Sequence, residues 1–125
     1  PLIKKLVSNI QTVRIASNFS TLMHSGVPVT KALRMLAEIV PNKAVSNAIF
    51  NIELKVRKGE QMSECFRQEE VLDRVLAEIL EVGEETGQIA EVLEKLGEQY
   101  EMEVDSQLKN LTTIIEPLII IVVGG

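Results

Sequence analysis

An all-α fold, an antiparallel six-helix bundle whose long C-terminal helix leads into a membrane segment, is predicted by three observations on this chain. Apolar residues make up 46% of the 125 residues but aromatics only 3%, a Leu, Ile, Val and Ala palette that suits helix packing better than a sheet. Apolar residues recur at i, i+3, i+4 and i+7 between successive breakers, and no alternating run competes with them. The sequence then closes on the apolar run Leu118-Ile119-Ile120-Ile121-Val122-Val123. The length suits one domain with a modest core.

The elements follow in order. The first helix has Ser8 and Gln11 in capping-box register, then Ile15, Phe19, Leu22 and Met23 on one face, with Gly26 as its stop. Pro28 fits the first turn of the second, whose stripe is Val29, Ala32, Leu33, Leu36, Ala37 and Val40. Pro41-Asn42 breaks the chain, and Asn42 is placed to cap a third helix carrying Val45, Ile49, Ile52 and Val56 before Gly59. A short turn of helix is expected over 62–66. Asp73 caps a fifth helix with Leu76, Ile79 and Leu80 inward, ending near Gly83. The sixth begins about Thr86-Gly87 and keeps an apolar face through Ile89, Val92, Leu93, Leu96, Tyr100, Val104, Leu108, Leu111 and Ile115. At about 1.5 Å per residue it spans roughly 43 Å from residue 87 to 115 and overruns the bundle.

Residues 1–116 are therefore expected to form one helical-bundle domain. Residues 117–125 are expected to begin a transmembrane helix, since nothing polar closes the run and a full span needs about 20 residues. Pro117 has no amide hydrogen, so a kink is expected at the membrane entry. The alternative is a soluble adaptor or regulatory bundle with this run tucked into its own core. The N-terminus lacks the order of charged, apolar and small residues of a signal peptide.

Charge is divided unevenly. Residues 1–59 carry nine Lys or Arg against Glu38 and Glu53, whereas residues 60–125 carry sixteen acids against four bases. The two halves can face each other within a bundle, or one can face a partner of opposite sign. Nucleic acid is a poor match for this pattern, because the bases are interleaved with apolar positions and no set of stacking aromatics accompanies them.

Enzymatic chemistry finds no footing. His24 is the single histidine and Cys65 the single cysteine; neither has a second ligand at metal-binding spacing. No glycine-rich phosphate loop precedes a Lys-Ser or Lys-Thr, and no local arrangement suggests a triad. Cys65 beside Phe66 reads as a small packing residue, and a lone thiol fits a reducing compartment. No catalytic, cofactor or metal residue is assigned.

Two acidic features stand out. Gly83-Glu84-Glu85-Thr86-Gly87 reads as a connection between helices, with its glycines free for positive φ and Thr86 capping the next helix. It can also be an exposed acidic knuckle for a basic partner, or a weak cation site. Glu91, Glu94, Glu98, Glu101 and Asp105 follow at intervals of 3, 4, 3 and 4, a stripe that is either a solvated face or a partner or oligomer contact. Glu84, Glu85, Glu98 and Glu101 are the candidate contact residues.

The segment with Phe19, Leu22-Met23-His24-Ser25-Gly26-Val27-Pro28-Val29 and Ala32-Leu33 resembles the opening of the type II secretion F domain. That family comprises the inner-membrane platform proteins of type II secretion and type IV pilus assembly. Gly59 with Ser63, Gly83-Glu84-Glu85-Thr86-Gly87, Leu93, Tyr100-Glu101-Met102-Glu103-Val104-Asp105, Leu111-Thr112 and Glu116-Pro117-Leu118 extend the likeness over residues 12–124. Gly26, Pro28, Gly59, Gly83, Gly87, Glu116 and Pro117 are its motif positions. Gly97 departs from it, standing where alanine is expected. The resemblance implies the second of two cytoplasmic domains, in a scaffold at the bacterial inner membrane without enzymatic activity. It implies, as partners, the cytoplasmic assembly ATPase and other platform subunits, with self-association as a further option.

Overall fold

A computed structural model of the chain describes the backbone of residues 2–124 and the side chains of residues 3–110. Six helices follow one another: α1 (Leu2–His24), α2 (Val29–Ile39), α3 (Lys43–Arg57), α4 (Met62–Gln68), α5 (Arg74–Thr86) and α6 (Ile89–Gly124). Among the described residues there is no strand. Each helix packs on the next in sequence, and α6 returns to α1 along the most extensive contact of all, so the six close into a ring.

Polar links show which neighbours run antiparallel. Ser46 Oγ donates to the Ala37 carbonyl (2.6 Å) while Arg34 meets Glu53, joining α2 to α3. Arg67 meets Glu81, and the Ser63 amide donates to Glu84, joining α4 to α5. Asn9 donates to Gln107 and Ser20 Oγ to the Ala90 carbonyl, joining α1 to α6.

The α1–α2, α3–α4 and α5–α6 connections each turn through a glycine with positive φ: Gly26 (86°), Gly59 (100°) and Gly87 (73°). Only glycine adopts that region without strain, which is why these breakers recur. The remaining connections lead into helices capped by side chains. Asn42 Oδ1 accepts from the Val45 amide (3.1 Å) and Asp73 Oδ1 from the Val75 amide (3.0 Å), as the sequence predicts.

The core lies inside the ring. Ile15, Phe19, Leu33, Leu36, Ile49, Ile52, Phe66, Leu76, Leu80 and Leu93 are fully buried. Phe19 of α1 and Phe66 of α4 stack with centroids 6.4 Å apart, tying opposite sides of the ring together. Cys65 is buried beside them, and burial together with Glu60 pushes its thiol up from the ordinary value. The short helix expected over 62–66 is seven residues long.

Several expectations shift. α1 begins at Leu2, so Ser8 and Gln11 lie within it and form no capping box. Its early turns bury Asn9 and Thr12, polar residues that interrupt an apolar stripe. Thr12 is satisfied by the Ser8 carbonyl (3.0 Å) and Asn9 by Gln107 (3.1 Å). Pro28 is the residue before α2, its carbonyl accepting from the Ala32 amide. Ile79 is only half-buried, and Leu108 is 44% exposed. α5 runs past Gly83 to Thr86, and α6 starts at Ile89 and continues without interruption to Gly124.

Among the described residues, no helix is long and apolar enough to cross a membrane. The side chains of Leu111, Ile115, Glu116 and Pro117, and of the run to Gly125, lie outside the described residues.

Candidate partner-binding site

The acidic knuckle is the last turn of a helix. Gly83 to Thr86 are helical, and Gly87 ends α5 in the left-handed conformation. The Gly83 carbonyl accepts from the amides of both Gly87 and Gln88, the C-terminal closure that a left-handed glycine allows. Thr86 does not cap α6: its hydroxyl donates back to the Val82 carbonyl at 2.9 Å. Gly83 has no need of positive φ. A Cβ built there would lie 2.9 Å from the Ile89 Cα and 2.9 Å from Val92 Cγ2, so glycine is what lets α6 fold back this closely on α5.

The candidate acids differ in what surrounds them. Glu84 is half-buried and reaches α4, taking a hydrogen bond from the Ser63 amide (3.4 Å) and one from Gln61 Nε2 (3.3 Å). Gln61 offers no side-chain cap of its own, so a carboxylate from α5 serves the first turn of α4, where negative charge is favoured. Glu85, Glu98 and Glu101 are exposed.

On α6 the acidic stripe borders the seam with α1. Ser17, Ser20, Thr21 and His24 form one wall of a shallow groove, and Glu94, Glu98 and Glu101 the other. Towards the C-terminal part of α6 the groove continues between Ile10, Val13 and Arg14 on one side and Glu101, Val104 and Asp105 on the other. At its opposite end it meets Met23, Gly83, Glu84, Gly87 and Glu91. Over its length it is lined by six carboxylates against the basic side chains His24 and Arg14. His24 Nε2 lies 3.4 Å from Glu94 Oε2 across the seam, a pairing between residues seventy positions apart that local spacing does not reveal.

Small side chains make this close approach possible. Gly97 faces Ala16 and Ser17, whose Oγ would lie 2.9 Å from an added Cβ. Ser20 spans the seam with its 2.8 Å bond to the Ala90 carbonyl. Among the described residues, no group of three or more His, Cys, Asp or Glu is placed to hold a metal ion. The arrangement is a negatively charged, partly apolar groove along two packed helices.

Comparison with known proteins gives that surface a context. The family model described as type II secretion system (T2SS), protein F, matches residues 15–125. The type IV pilus assembly protein PilC of Pseudomonas aeruginosa is 33% identical over 124 residues, covering 99% of this chain and 33% of that protein. PilC of Myxococcus xanthus is 28% identical, over 100% of this chain and 30% of that protein. The type II secretion system protein F of P. aeruginosa is 27% identical, over 100% and 31%. The chain spans about a third of the length of the curated relatives it matches.

Proposed function

This chain belongs to the type II secretion system protein F family, and from that premise we propose that it is a non-catalytic scaffold domain of a type II secretion or type IV pilus platform. In this reading it couples a cytoplasmic assembly ATPase to the assembly of pilins or pseudopilins. The domain stands on the cytoplasmic side of the bacterial inner membrane, and residues 117–125 begin a membrane helix. Support for that last element is the unbroken course of α6 to Gly124 together with the apolar composition after Pro117.

The observation that carries the binding role is the acidic groove along α1 and α6. Exposed ion pairs contribute only about 0–1 kcal/mol each to folding. A row of carboxylates with few internal counter-charges is better explained by a basic partner, which gains in encounter rate and register from complementary charge. The proposed contacts are Glu85, Glu98 and Glu101, with Glu84 at the groove's end both a contact and a brace for α4.

The test is charge reversal at Glu98 and Glu101, with binding to the purified assembly ATPase measured at low and high salt beside thermal unfolding. The double reversal should weaken binding by about tenfold or more at low salt, with a smaller difference at high salt, and should leave the melting temperature nearly unchanged. Unaltered binding with a clear loss of thermal stability would assign the acids to the bundle's own pairing instead.

A further inference from the structure

The α2–α3 hairpin carries a second exposed surface, opposite in charge to the groove. Residues 28–59 hold six Lys or Arg and two acids, Glu38 and Glu53. Glu53 is 3% exposed and so is withdrawn from the surface. One of its oxygens, Oε1, meets both Arg34 Nη2 of α2, at 3.5 Å, and Arg57 Nη2 of α3. A single buried oxygen thus fixes two guanidinium groups from antiparallel helices while their side chains stay about half exposed, 54% and 50%. Each guanidinium has five N–H donors, and one contact apiece leaves most of them available. Thr30 and Lys31 line the same cleft.

Beside these cations lie apolar side chains that the ring leaves outside. Phe50, Leu54 and Arg57 stand at i, i+4 and i+7 on α3 and share a face; Phe50 is 36% and Leu54 49% exposed. Phe19 and Phe66 lie in the core, so Phe50 is an aromatic spent on the surface. Aromatic and arginine side chains at the centre of a patch, with polar groups around, are the composition of binding hot spots.

We propose that Lys31, Arg34, Phe50, Leu54 and Arg57 form a docking surface for an acidic amphipathic helix of a partner protein. Apolar side chains of that helix would cover Phe50 and Leu54, and its carboxylates would meet the cations that Glu53 holds in place. Pre-fixed guanidinium groups lose less freedom on binding than mobile ones, which favours a charged yet specific contact. The cationic run covers only about two helical turns, too short to track a nucleic-acid backbone. The proposal rests on the scaffold reading for the class of occupant, but it concerns a face remote in sequence from the acidic stripe.

The experiment titrates the full, isotope-labelled chain with a capped synthetic helical peptide bearing Leu at i and i+4 and Glu on the flanking positions. Amide shifts should concentrate on residues 29–58. Lys31→Glu and Leu54→Ser, both at exposed positions, should each weaken binding by about tenfold or more with unchanged melting temperature, while Glu98→Lys should not weaken it. Absence of binding at millimolar peptide, equal binding by both variants, or shifts confined to α1 and α6 would overturn the proposal. So would self-association of the chain abolished by Lys31→Glu, which would give the face to a second copy. Since the ATPase experiment reports on α6 alone, failure of either reading is seen separately.

Discussion

Gly83 and Gly97 are both buried within helices, and both permit close approach, but they differ in what an added methyl group would meet. At Gly83 the obstacle is the Ile89 Cα at 2.9 Å, which is backbone and cannot turn aside. At Gly97 it is Ser17 Oγ at 2.9 Å, the end of an exposed side chain that can change rotamer, with the Ser17 amide and Ala16 Cβ at ordinary contact distances. Alanine favours a helix interior over glycine by about 1 kcal/mol, so the clash decides the sign in each case. Gly97→Ala should stabilise the chain by up to about 1 kcal/mol, whereas Gly83→Ala should cost about 1–3 kcal/mol through overpacking; chemical denaturation measures both. Cys65 is a simpler case. Its buried, upward-shifted thiol should react with a maleimide far more slowly in the native chain than in urea at neutral pH. Cys65→Ser should leave partner binding intact. The shift also has a sign: ionising this thiol is harder in the folded state. Its contribution to stability is therefore full below the ordinary thiol value and declines as alkaline pH passes through the raised one.

At the scale of elements, legibility depended on whether a helix declared itself locally. α2 and α3 carry clean apolar stripes and punctuation, and the caps at Asn42 and Asp73 form as their spacing suggests. Removing either cap by alanine should cost about 1 kcal/mol. Leu36→Ala should cost about 2–5 kcal/mol, since Leu36 is wholly buried in the ring's interior; a loss below about 1 kcal/mol would place it on the wrong face. The start of α1 was harder to see, because its buried face alternates apolar residues with Asn9 and Thr12, and their partners are Gln107, at the far end of the sequence, and a carbonyl of the same helix. The end of α5 is hidden for a related reason. Glycine at position 83 looks like a stop until α6 is laid against it. Glu84 follows the same rule: its role at α4 depends on a contact across twenty-one residues. Consequently Glu84→Lys should lower stability as well as affect binding, by an amount typical of a lost cap, about 0.5–2 kcal/mol. Glu98 and Glu101 are the cleaner positions for testing contact.

For the whole molecule, the ring sets two charged faces on different helix pairs. The uneven charge of the two halves was plain in the sequence, and so was the acidic stripe. Their disposition was not, because it depends on α6 returning to α1 and on Glu53 sinking between α2 and α3 to hold two arginines. On the proposed scaffold reading, the acidic groove and the basic, partly apolar face would let the chain hold two partners of opposite character at once. The central claim, that the α1–α6 edge is a contact surface in the assembled machine, is tested most directly by site-specific photo-crosslinking in cells with the full-length protein. The photoreactive residue is placed in turn at Glu98 and Glu101, and at the exposed Glu78 on α5 as a control. Crosslinks to the assembly ATPase or to another platform subunit from 98 and 101, but not from 78, are the predicted result. Functional protein that forms no adduct from 98 or 101, or forms the same adduct from all three, would contradict it.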